Sequence, residues 1–360
     1  MLFRRLFGSS STASISVRSI VYPQFGDPAK VLSLTTGDLT PDQLRPKSDQ
    51  VLIQTLAAPV NPSDINMIQG IYPLKPERFP AVGGNEGVAQ VIDIGVDVHD
   101  VTVGDWVIPT MQGSGTWISH KRCSAADVIK IPKCDSKSNI PLESAATLLV
   151  NPPTAYRMLT DFVTLNPGDS FIQNGANSGV GVAAIQIGHA LGFRSVNLIR
   201  ERPDLQNLKD QLIKLGADLV LTENELKSPD GRKAVAQLGG GPPKLGLNCV
   251  GGKSVLYLAS ALAPEGVIVT YGGMSRQPVQ VATGPLIFND ISLRGFWMSR
   301  WYRDCRSPSL RKSMVEFLVK LIGDGNLVPP KMNRVPVERF SEALSAAMES
   351  GQGKQLLVFS

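Results

Sequence analysis

The stretch Asn174-Gly175-Ala176-Asn177-Ser178-Gly179-Val180-Gly181 sets three glycines close together, directly after the apolar run 170–173. Glycine lets a backbone approach a phosphate closely, and a helix that starts there offers free N–H groups and its positive dipole end. The spacing is GxxxGxG rather than GxGxxG. Its place between a strand and an apolar helix, inside a βαβ unit, points to the pyrophosphate of a dinucleotide, with Asn177, Ser178, Gly179 and Val180 lining it. An ordinary tight strand-to-helix turn is the alternative. The next strand ends in Ile199-Arg200-Glu201-Arg202-Pro203. An acid at this place holds a ribose 2′-hydroxyl, whereas arginine accommodates a 2′-phosphate. Arg200 and Arg202 flank Glu201, and a guanidinium matches phosphate geometry. NADPH is therefore expected, with Glu201 keeping NADH open.

Tyr72 sits in the Pro-flanked turn Gly70-Ile71-Tyr72-Pro73. A phenol with a pKa of about 10 stays protonated at neutral pH and can give both a hydrogen bond and a proton. By spacing alone, a tyrosine in such a turn reads as a surface packing residue. Ser63, Asp64 and Asn66 could orient a site or simply serve the turn. Metal chemistry finds little support. Cys123, Cys134, Cys249 and Cys305 form no CxxC pair, and His99, His120 and His189 are scattered, so no metal site is expected.

These residues need elements to hold them. At roughly 150 residues per domain, 360 residues suggest two domains. With 42% hydrophobic and 19% charged residues the chain can build a full core, and no apolar run is long enough to span a membrane. From 20 to about 142 the reading is β and turns: 51–60, 87–95 and 105–109 are β-branched runs bounded by Gly, Pro and Asp. Residues 142–162 read as helices broken at Asn151-Pro152-Pro153. A strand–helix alternation follows, with strands at 170–173, 195–199, 218–222, 245–250 and 266–271 and helices over 178–191, 204–215 and 254–262. Parallel strands need such crossovers, so this is a doubly wound α/β domain. A strand at 292–298, a basic loop, helices carrying Leu310 to Ile322 and 338–349, and a strand at 355–359 close the chain. The domains expected are a β-rich one over 20–150, a nucleotide-binding one over 151–290, and a return over 291–360 that completes both.

Residues 1–26 carry Arg4, Arg5 and Arg18 but no acid, with Leu2, Phe3, Leu6 and Phe7 beside the first arginines and serines after them. That is the composition of a mitochondrial presequence over 1–19, cleaved near Ser19; an unstructured tail is the alternative. The net charge of +5 then loses its force, because removing those three from the 36 basic residues leaves 33 against 31 acidic ones. Neither nucleic acid nor a membrane span is expected as a partner.

The strings 60–73 (VNPSDINMIQGIYP), 80–91 (PAVGGNEGVAQV), 151–159 (NPPTAYRML), 247–254 (LNCVGGKS), 270–279 (TYGGMSRQPV) and 293–301 (LRGFWMSRW) resemble the trans-2-enoyl thioester reductases of mitochondria. These are zinc-free members of the medium-chain dehydrogenase/reductase superfamily. The resemblance covers nearly the whole chain after residue 19. It implies a β-rich GroES-like catalytic domain beside a Rossmann domain. It departs from the zinc alcohol dehydrogenases, where a Gly-His-Glu string supplies a zinc ligand; here Gly84-Asn85-Glu86 has asparagine at that place.

The resemblance implies NADPH-dependent reduction of the 2,3-double bond of enoyl thioesters on acyl carrier protein or coenzyme A, in the mitochondrial matrix, by a homodimer. Tyr72 matches the family's catalytic tyrosine. Asn151, Tyr271, Gly272, Gly273, Met274, Phe296, Trp297, Met298, Ser299 and Lys354 match cofactor contacts, Trp297 with a second place in the wall of the acyl pocket. Arg300, Arg303, Arg306, Arg311 and Lys312 form a basic rim that could receive an acidic carrier protein or simply be solvated. Two rivals stay open: a zinc-free NADPH quinone oxidoreductase, which needs no tyrosine donor, and an NADPH-binding protein without turnover.

Overall fold

The computed structural model describes residues 14–132, 140–305, 307–349 and 352–359. Two units emerge, one of Met1–Val150, Tyr302–Lys320 and Pro330–Ser360, the other of Asn151–Trp301 and Leu321–Pro329.

In the first unit, β1 (Ile15–Tyr22) lies between β2 (Ser33–Leu39) and the short β4 (Ala81–Val82), antiparallel to both. β3 (Gln50–Pro59) pairs antiparallel with β5 (Val88–Ile94) on one side and carries β7 (His120–Ser124). β5 leads on to β6 (Trp106–Pro109) and β8 (Val128–Lys130). Seven of the ten residues of β3 are buried, as an interior strand covered on both faces requires. Trp117, without exposed surface, packs with Ile20, Tyr22, Ile65 and Ile68.

Helix Pro62–Ile68 interrupts the run expected to be β and turns throughout. Seven residues are too few to show a helical period, and the signal is local instead. Pro62 fits the first helical position. The Asp64 carboxylate accepts the Asn61 N–H at 2.7 Å, in a capping box with the Asn61 side chain. The N-terminal boundary also moves. β1 starts at Ile15 and Val17 is buried against Leu44 and Leu52, so a cut near Ser19 would remove the first half of a paired strand. Residues 1–13, with Arg4 and Arg5, lie outside the described residues.

The second unit is a six-stranded parallel sheet: β9 (Ser170–Asn174), β10 (Arg194–Ile199), β11 (Leu219–Thr222), β12 (Leu245–Asn248), β13 (Val267–Thr270) and β14 (Ser292–Gly295). Their spatial order is β11-β10-β9-β12-β13-β14, the doubly wound order in which the chain reverses direction between β9 and β12. Ligands of such sheets bind outside the carboxyl ends of the strands at that reversal. Helix Gly179–Ala190 is buried over eight consecutive residues. Its all-round apolar sequence reflects that burial.

Two readings change here. Pro152 and Pro153 do not break a helix but open one, Asn151–Asp161, where the missing N–H groups would have had no partner. The strand read over 292–298 stops at Gly295, and helix Met298–Asp304 replaces most of the basic loop. The C-terminal strands β15 (Met332–Pro336) and β16 (Lys354–Val358) return to the first unit, β16 pairing with β3.

Candidate active site

The glycine loop is built for close approach. A Cβ added at Gly181 would stand 2.6 Å from the Ala176 carbonyl oxygen, and one at Gly175, where φ is +61°, would stand 2.4 Å from the Cys249 sulfur. Ser178 caps helix Gly179–Ala190, its hydroxyl accepting the Gly181 N–H at 3.1 Å. Among the described residues no other side chain caps the first-turn N–H groups, as an anion site at a helix start needs. Gly179 meets Asn151: a Cβ there would come within 2.6 Å of the Asn151 amide nitrogen. Two residues 28 apart in sequence are thus brought together, which spacing does not reveal.

Below the loop lies a buried polar network that the sequence reading did not single out. Asn174 Nδ2 donates to Asn248 Oδ1 at 2.8 Å and to Ser254 Oγ at 3.0 Å, and Asn174 Oδ1 accepts the Cys249 N–H at 2.8 Å. Asn248 Nδ2 donates to Thr270 Oγ1 at 3.0 Å. The network ties the ends of β9, β12 and β13 together at the point of reversal. Its signal in the sequence was an asparagine ending two apolar strands, a place where a side chain must replace lost ladder bonds.

Tyr271 follows β13, its buried hydroxyl beside the Cys249 thiol and the Ser178 hydroxyl. Burial holds both the phenol and the Cys249 thiol protonated. Met274 is exposed, and its N–H reaches the Cys249 carbonyl at 3.0 Å, while Gly272 packs on Cys249. Phe296 lies edge-on to Phe162 with ring centroids 5.8 Å apart, beside half-buried Trp297 and buried Met298 and Ser299. Arg200, Glu201 and Arg202 are all exposed after β10, and Arg202 pairs with Asp204 at 2.5 Å.

In the first unit, Tyr72 is half-buried in a tight turn after helix Pro62–Ile68. The Ile71 and Tyr72 N–H groups both donate to the Asn66 carbonyl, at 3.0 and 3.1 Å. The same helix leads back to a buried charge cluster. Glu86, without exposed surface, accepts Asn61 Nδ2 at 2.8 Å and the Val150 N–H at 3.0 Å. The ammonium of Lys354, which the resemblance matches to a cofactor contact, donates to Asn61 Oδ1 at 2.5 Å and faces the Glu86 and Asp64 carboxyls. Burial pushes the Asp64 carboxyl up to about 7 and raises that of Glu86.

Asn85 donates to Ser63 Oγ at 3.3 Å, and its buried Oδ1 has no hydrogen-bond partner among the described residues. An amide and a hydroxyl are poor zinc ligands, and among the described residues no group of three or more His, Cys, Asp or Glu is placed to hold a metal. Of the basic rim, Arg300 is exposed, Arg303 pairs with Asp304 at 2.8 Å, and Arg311 donates to the Cys305 carbonyl and faces the Tyr302 ring. Arg306 lies outside the described residues.

Residues 47–133 match the alcohol dehydrogenase GroES-like domain and residues 179–319 the zinc-binding dehydrogenase domain. The mitochondrial enoyl-[acyl-carrier-protein] reductase of Rattus norvegicus is 51% identical over 334 residues, covering 92% of this chain and 86% of the rat protein. The chain belongs to the mitochondrial enoyl-[acyl-carrier-protein] reductase family. A Caenorhabditis elegans member is 45% identical over 350 residues, 97% of both chains. The solved complex of Etr1p with NADP and crotonyl-CoA superimposes with a TM-score of 0.88 at 36% identity, covering 96% of this chain and all of Etr1p. The fold is that of the medium-chain dehydrogenase/reductase superfamily, with a GroES-like part and a Rossmann-like part.

Proposed function

We propose that this chain reduces the 2,3-double bond of trans-2-enoyl thioesters with NADPH in mitochondrial fatty acid synthesis. The likeness along nearly the whole chain to reductases of this class, one of them solved with NADP and an enoyl thioester, carries the reading. NADPH would be held by Asn177, Ser178, Gly179 and Val180 at its pyrophosphate and by Arg200 and Arg202 at its 2′-phosphate. Asn151, Tyr271 to Met274 and Phe296 to Ser299 would line the rest. Bound there, it supplies the hydride that C3 of the substrate takes up.

The protein's own task is the charge that then develops on the thioester oxygen. A preorganised donor at such an oxyanion is usually worth about a hundred- to a thousandfold in rate. Tyr72 is that donor in this account: its phenol meets the enolate oxygen, and its proton is available to C2. Two backbone N–H groups on one carbonyl tie down the turn that carries it, which supports a donor presented from an ordered backbone.

An acidic carrier protein would be steered by exposed Arg300 and its basic neighbours. A homodimer would form along β14, one of the two outermost strands of the parallel sheet, just ahead of which in the chain Ile287 and Phe288 are 65% and 83% exposed. The presequence belongs to the residues ahead of Ile15. The test is to add a medium-chain trans-2-enoyl-CoA and follow NADPH absorbance. Rapid loss with NADPH and little with NADH is expected. Turnover with quinones and none with enoyl thioesters would overturn the proposal.

A further inference from the structure

We propose that Phe25 and Lys75 are positioning residues for Tyr72, acting as a clamp on its turn; this rests on the assignment of Tyr72 as the donor. The turn from Gly70 to Lys75 is held from outside by one aromatic ring. The Phe25 side chain packs on Gly70: a Cβ added there would come within 2.8 Å of Phe25 Cγ, at a residue whose φ of +75° already favours glycine. The Lys75 ammonium donates to the Gly70 carbonyl, closing the turn around Tyr72, and lies 4.8 Å from the centroid of the same Phe25 ring.

The ring is itself anchored. Phe79 stands edge-on to Phe25 at 5.0 Å between centroids and edge-on to Tyr22 at 5.7 Å, and Tyr22 is a core residue of β1 with 2% exposure. The Gly26 N–H donates to the Ile68 carbonyl at 3.0 Å, at the end of the helix that leads into the turn. Support thus runs from β1 through Tyr22, Phe79 and Phe25 to the two ends of the segment that presents Tyr72. Phe25 is 36% exposed and Lys75 is on the surface. Neither contributes much to the core, so their contacts constrain the turn more than they stabilise the fold. A donor displaced by about 1 Å loses on the order of a hundredfold in rate, which makes such a clamp consequential.

The experiment uses the full chain and measures kcat, KM for trans-2-enoyl-CoA and NADPH affinity for Phe25→Ala and Lys75→Met, each alone and combined with Tyr72→Phe. Phe25→Ala is expected to lower kcat about tenfold or more and Lys75→Met to lower it less, with NADPH affinity unchanged. Neither should lower it further once Tyr72 is phenylalanine. Lys75→Met, on the surface, keeps the test open should Phe25→Ala fold poorly. Wild-type kcat in both single variants, or an equal loss with and without the Tyr72 hydroxyl, would overturn the clamp. Full turnover in Tyr72→Phe alone would instead remove the donor assignment beneath it.

Discussion

Replacing Asp64 by asparagine is expected to stabilise this protein at pH 8 relative to pH 5. Asp64 is 2% exposed, and burial is the largest influence on its carboxyl. The Asn61 N–H and the Lys354 ammonium oppose that influence and Glu86 adds to it, leaving the carboxyl at about 7 against an ordinary 3.8. Between those values the folded state holds a proton that the unfolded chain has released. Stability therefore falls as pH rises through this window, by about 4 kcal/mol over its whole width. Asparagine retains the oxygen that accepts the Asn61 N–H at 2.7 Å and cannot ionise. It also leaves Lys354 facing a single carboxylate, Glu86. Urea unfolding of both proteins at pH 5 and pH 8 reads the difference directly. The stability of the variant relative to wild type should improve by about 3 kcal/mol across that range. A relative stability that does not change with pH would mean that Asp64 is ionised in the folded protein throughout, and would refute the reasoning.

Other outcomes follow from the same geometry. Arg200→Ala should weaken NADPH binding roughly ten- to a hundredfold, the range of one lost charge-assisted contact, and leave NADH binding unchanged in fluorescence titration. Gly175→Ala puts a methyl group 2.4 Å from the Cys249 sulfur at a φ of +61°, so thermal unfolding should shift downward and NADPH affinity should drop together. Phe288→Asp, on the exposed helix that precedes β14 in the chain, should convert the proposed dimer to a monomer in analytical ultracentrifugation.

The doubly wound domain was legible because each strand there is a short apolar run and each crossover a helix of its own. β9 at Ser170–Asn174 and helix Gly179–Ala190 fall within a residue of the reading. What failed was short or tertiary. Helix Pro62–Ile68 has under two turns and announces itself only through Asn61, Pro62 and Asp64. Arg18 and Ser19, read as presequence, sit in β1 because Val17 and Ile20 find partners far along the chain, Leu52 and Trp117 among them. For the site, the glycine loop and Arg200 carry local chemical signals. The meeting of Lys354 with Asn61 spans 293 residues and depends on β16 pairing with β3. Nothing in the spacing of those residues encodes it. Tyr72 lies between these cases, since its turn could be read but its role came from family resemblance.

The central claim is that Tyr72 donates to the charge that develops on the thioester oxygen. Its most direct test is the steady-state reduction of a trans-2-enoyl-CoA by wild type and Tyr72→Phe, with NADPH affinity measured alongside. A fall in kcat of about a hundredfold or more is expected, with NADPH binding unchanged. Turnover that survives the loss of one hydroxyl would contradict it.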